Sequence, residues 1–129
     1  MHNEKKIKEA IAKLIVLTTE EKIEWNVFNI NGNIEILYPF DATIVGHVYQ
    51  SRIEYNNYVI FRYRKPIYDD DTSSHLGCED RITYELHVFD IIGVFLYSLD
   101  QSLVIDDLYS VIQNKLTPFD DIMDSILNF

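Results

Sequence analysis

Apolar residues recur at Ile7, Ala10, Ile11, Leu14 and Ile15, the i, i+3, i+4, i+7, i+8 spacing that draws one stripe along a helix. Asn3 is placed to cap that helix, Glu4 suits the positive end of its dipole, and Thr18 and Thr19 mark its end. From Lys22 the period changes. Ile23, Trp25 and Phe28 read as a short strand or extended segment. Asn31-Gly32, both tolerant of positive φ, predicts a hairpin into a second strand over residues 34–37. Residues 44–55 and 58–64 predict the next hairpin. A three-residue loop over 56–58 sets Ile53, Tyr55, Val59, Phe61 and Tyr63 on one face. It leaves Gln50, Arg52, Glu54, Arg62 and Arg64 on the other.

Further along, Ile82, Tyr84, Leu86 and Val88 alternate with Arg81, Thr83, Glu85 and His87, the pattern of a strand with one buried and one solvated face. Residues 90–93 turn it and 94–97 return. Ile105, Leu108, Tyr109, Ile112 and Leu116 form the inward stripe of a helix that Ser102 is placed to cap. Thr117-Pro118 opens a last helix as N-cap and first residue, with Asp120 and Asp121 in its first turn and Phe119, Ile122, Met123, Ile126 and Leu127 along one side. The pattern predicts an α+β fold: an N-terminal helix, an antiparallel β-meander of five to six strands, and a C-terminal helical hairpin packed on one face of the sheet. Strands segregated from helices argue against a doubly wound βαβ arrangement.

Composition agrees with this pattern. Three alanines stand against eighteen isoleucines and nine tyrosines, a balance that favours pleated sheet. With 129 residues and 47% hydrophobic content, the chain reads as one domain, 1–129, able to bury a core without a disulfide or a metal. Cys78 is the lone cysteine, which fits a reducing compartment. The stretch after Lys5, Lys6 and Lys8 is amphipathic and short, unlike a signal peptide, and no apolar run is long enough to span a bilayer. A cytoplasmic protein is expected, with no membrane association.

Charge changes the picture most. Residues 1–68 hold nine Lys/Arg against eight Asp/Glu, whereas residues 69–129 hold Arg81 and Lys115 against thirteen acids. The first half is thus net +1 and the second net −11, within a total of −10. An acidic half disfavours phosphate contacts, so nucleic-acid binding is not expected, and it favours a basic partner. Arg52, Arg62, Arg64 and Lys65 interleave with Tyr49, Tyr55, Tyr58 and Tyr63, but the expected register points most of those rings inward, which removes a base-stacking platform.

Candidate chemistry is sparse. Asp69, Asp70, Asp71, His75, Cys78, Glu79 and Asp80 share one polar loop over 69–80, yet their spacing matches neither a calcium loop nor a paired-cysteine zinc site. The loop reads as a solvated connection. No Gly-x-Ser-x-Gly elbow supports a serine nucleophile, and Cys78 beside His75 or His47 is the one thiol nucleophile to weigh. The four glycines are isolated, so no phosphate cradle forms. No catalytic residue, metal or cofactor is assigned.

The Lys22-Ile23-x-Trp25 segment, the hairpin from Tyr84-x-Leu86 to Gly93 and the Leu108-Tyr109-x-x-Ile112 helix give the chain a look that resembles small acidic bacterial immunity proteins, the partners of secreted toxins. The resemblance covers most of the chain as an architecture and carries no signature motif, so no functional residue transfers. It implies a non-catalytic inhibitor whose acidic surface covers a basic toxin. The acids expected to contact such a partner are Asp69, Asp70, Asp71, Glu79, Asp80, Asp106, Asp107, Asp120, Asp121 and Asp124. Two other readings stand beside it: a small-ligand domain or enzyme with a cleft between sheet and helices, near His87, Glu85 and Tyr84, and a homo-oligomer formed through open sheet edges.

Overall fold

The computed structural model describes residues 4–28, 36–67, 79–100 and 102–129. In chain order its elements are α1 (Glu4–Thr19), β1 (Asn26–Val27), β2 (Thr43–Ile44), β3 (Tyr49–Ile53), β4 (Asn56–Ile67), β5 (Glu79–Asp90), β6 (Phe95–Leu99), α2 (Ser102–Leu116) and α3 (Phe119–Leu127). The strands make one antiparallel sheet in the order β1-β3-β4-β5-β6, and β2 pairs with the later half of β4. The fold is α+β, a helix, then an antiparallel sheet, then two closing helices.

The sheet has two apolar faces. On one, Tyr49, Ile60 and Leu86 meet Ile11 of α1 and Ile105, Leu108, Tyr109 and Ile112 of α2, with Trp25 closing the end. On the other, Phe28, Val48, Val59, Phe61, Tyr63 and Phe89 form a second core, covered by Ile36, Ala42 and Ile44. Helical spacing therefore places the α1 and α2 stripes inward apart from exposed Ala10 and Leu116, while residues 36–44 do on the opposite face what helices do on the first.

α1 ends in a Schellman motif. The Lys22 N–H donates to Leu17 O at 2.8 Å and the Glu21 N–H to Thr18 O at 3.1 Å. Glu21 takes the left-handed conformation, φ 60, where glycine is the usual occupant. A side chain there costs roughly 1–2 kcal/mol.

Several expectations need correction. Ile53 pairs with Asn56, so the β3–β4 turn is two residues, Glu54-Tyr55, with Glu54 at φ 56, and not a three-residue loop over 56–58. Pairing of β4 with β5 runs on to Asn56 opposite Asp90, and the Asn57 side chain donates to Asp90 O at 3.0 Å. A bulged loop there would forfeit those bonds. The register moves with the turn: Ile53 now shares a face with Tyr58 and Ile60, opposite Val59, Phe61 and Tyr63. Glu79 and Asp80 are the first residues of β5, opposite Ile67 and Pro66, because the long β4 offers them a partner strand. The remainder of the expected loop, 69–78, lies outside the described residues, as do the Asn31-Gly32 signal and residues 34 and 35. Ile36 and Leu37 are described and are not strand. Pro118, not Thr117, holds the N-cap position of α3, and the Thr117 hydroxyl donates back to Gln113 O at 2.6 Å.

Candidate interaction surface

α3 is amphipathic by position. At 100° per residue, Phe119, Ile122, Met123, Ile126 and Leu127 fall on one side, and Asp120, Asp121, Asp124, Ser125 and Asn128 on the other. Asp120 and Asp121 lie in the first turn, where the helix dipole stabilises carboxylates. Yet α3 has no buried residue: Phe119 is 63% exposed and Ile126 64% exposed. The apolar side that sequence alone assigns to the core faces solvent.

α2 behaves differently. It buries Ile105, Leu108, Tyr109 and Ile112 completely against α1, β5 and β4. Asp106 is half-buried and accepts from the Ser110 hydroxyl at 3.4 Å, while Asp107 is exposed. Both lie beyond the first turn, which holds no acid, so the dipole does not account for them. Five expected contact acids, Asp106, Asp107, Asp120, Asp121 and Asp124, therefore fall on two consecutive helices. Asp69, Asp70 and Asp71 lie outside the described residues, and so do the side chains of Glu79 and Asp80.

His87 is not on a solvated strand face. It is 2% exposed, edge-on to Phe61 at 4.8 Å and to Phe95 at 5.4 Å between ring centres. Period-two alternation assigns only one face to the core, but here both faces are covered. Nε2 lies 3.4 Å from Glu85 Oε1, which also accepts from the Ser98 hydroxyl at 3.2 Å. Burial works to raise the Glu85 pKa, but hydrogen bonds from His87, Tyr63 and Ser98 outweigh it and hold the carboxyl below 4.5. The same neighbourhood pushes Tyr63 up to about 12, first through burial and then through its hydrogen bond to Glu85.

His87 Nδ1 has no hydrogen-bond partner among the described residues. This is not the order of a hydrolytic triad, because the Glu85 carboxylate stands between Ser98 and His87, and His87 Nδ1 meets no nucleophile among the described residues. Glu85 and His87 also face away from the helices, whereas Tyr84 faces them. The expected cleft near all three does not form.

Arg62 is the second correction to the expected polar face. It is half-buried on the helix side, with Nε donating to Val45 O at 3.2 Å and Nη1 to the Tyr84 hydroxyl at 3.3 Å. Its guanidinium lies 4.7 Å from the Tyr109 ring centre, a cation–π contact. Burial opposes its charge, but the Tyr84 hydrogen bond and the surrounding tyrosine oxygens raise its pKa. Tyr109 in turn donates to His47 O at 2.6 Å. Gly46 closes against both side chains: at φ 74, an added Cβ would sit 3.1 Å from Arg62 Nη2 and 3.2 Å from the Tyr109 hydroxyl. Arg62 is thus a structural tie between sheet and α2, and no stacking platform includes it.

No known protein family, curated protein or solved structure matches this chain. Among the described residues, no helix is long and apolar enough to cross a membrane.

Proposed function

We propose that this protein is a non-catalytic, cytoplasmic protein-binding domain that neutralises a basic partner, in the manner of an immunity or inhibitor protein, through the acidic surface of residues 69–129. The observation that carries the reading is α3, whose large apolar side chains are exposed while its opposite side is lined with aspartates. An exposed apolar side rimmed by charge is the form of a helix that docks into a groove. The charge sets the partner: no Lys or Arg follows Lys115, so the groove that accepts α3 is basic at its rim. Asp106 and Asp107, unexplained by helix-end chemistry, extend the same field along α2.

Charge reversal at Asp120/Asp121 or at Asp106/Asp107 is expected to slow association and to flatten its dependence on salt. Ile122→Ala with Ile126→Ala is expected to speed dissociation instead, since buried apolar contacts act mainly on that rate. Affinity capture from the native extract identifies the basic protein, and surface plasmon resonance of these variants against it is the test. Association unchanged by both reversals would defeat the proposal.

A further inference from the structure

A cleft of ≈ 350 Å³ opens where the last turns of α1 and α2 meet the segment leading into β1, with no α3 residue in its lining. Ile23 and Leu116 give it accessible apolar walls over a nearly closed floor of Trp25 and Ile112, and Glu21, Glu24 and Lys115 line it as the charged groups. The Trp25 indole N–H is already spent on the Thr18 hydroxyl at 3.0 Å, and its ring lies just beneath the cleft. Both helices end here, at Thr19 and Leu116, and their C-termini direct partial negative charge toward the same space. The Lys115 ammonium shows what this environment accepts: it donates to Thr19 O and to Glu21 Oε1, each at 3.1 Å.

Glu21 is the decisive residue. It occupies the left-handed position of the Schellman motif, which glycine fills without strain, and it lines the cleft from there. Its ion pair with Lys115 does not justify the strain, because an exposed pair contributes little, and Lys115 would keep its bond to Thr19 O with glycine at position 21. A carboxylate held at a conformational cost on the rim of an apolar cleft points to a bound cation.

We propose that this cleft binds an organic ammonium group carrying an apolar chain, with Glu21 and Glu24 taking the charge and Ile23 and Leu116 the chain. The ammonium comes either from a free amine or from a lysine side chain of a protein. This site is separate from the α3 surface, and its failure leaves the inhibitor reading intact.

Trp25 is the one tryptophan in the sequence, so intrinsic emission of the full-length protein reports directly on the cleft. Hexylamine, hexanol and hexanoate present one chain with positive, neutral and negative heads. Hexylamine is expected to shift the emission saturably, with hexanol about tenfold weaker and hexanoate silent. Glu21→Gly is expected to raise the melting temperature while weakening hexylamine about tenfold, and Lys115→Met to tighten it by removing the internal competitor. An acetylated, amidated Leu-Lys-Leu peptide forms the second arm: tighter binding than hexylamine assigns a protein lysine, and weaker binding a free amine. Equal binding of the three six-carbon probes, binding of none of the four, or a Glu21→Gly affinity equal to wild type would overturn the proposal.

Discussion

Between the rings of Phe61 and Phe95, His87 is held as a flat, mostly apolar filler whose one polar tie among the described residues is to Glu85. Two pH limits follow from its neighbours. The Glu85 pKa is depressed in the fold, so this carboxylate contributes stability above pH 4.5 and loses it as pH falls through the lower folded value. The Tyr63 pKa is raised, so its contribution is complete below pH 10 and is lost as pH climbs toward about 12. Urea midpoints measured across pH should therefore fall at both ends, with Glu85→Gln flattening the acid limb. Tyr63→Phe should shallow the alkaline limb without abolishing it, because burial also raises Tyr49 and Tyr109. None of this was legible from the alternation around His87. Period two identifies two faces, but whether the second is solvated depends on residues 36–44, more than forty positions earlier in the sequence.

At the level of elements, α2 and α3 look alike in sequence and differ in what they cover. Both carry an apolar stripe, and the stripe fixes the helix without fixing its packing partner. Ile112→Ala, in α2, should cost about 2–5 kcal/mol in chemical denaturation, since it leaves a cavity between two helices and the sheet. Ile122→Asp, in α3, should cost far less, about 1 kcal/mol at most, since close to half of its surface is already in water. A large loss at Ile122 would mean that α3 is integral to the core. The helices and the strand stretches 81–88 and 94–97 were legible because their periodicity is regular. The β3–β4 turn was not, because aligning Ile53 and Tyr55 with Val59, Phe61 and Tyr63 demanded a loop over 56–58, whereas twelve residues of ladder with β5 hold Asn56 and Asn57 as strand. Gly46→Ala tests another local constraint: positive φ and the nearby Arg62 and Tyr109 atoms together should cost more than about 1 kcal/mol by thermal melt.

For the molecule as a whole, charge and topology act separately. The contact acids of α2 and α3 were readable from composition, yet no local pattern signalled the amine cleft. Its lining comes from residues 18–26 and 112–116, and its rim depends on a left-handed glutamate that nothing in the letters marks. The net charge of −10 should make the protein more stable as salt screens its self-repulsion, which a melting series in sodium chloride measures. Topology has a kinetic consequence. β4 pairs with β2, β3 and β5, and its twelve-residue ladder with β5 is the longest in the sheet. A chain that must close that hairpin before β1, β2 or α2 has a surface to join will show its transition state there. Val59→Ala and Leu86→Ala should slow refolding in stopped-flow measurements, whereas Ile44→Val, on the short β2, should chiefly hasten unfolding.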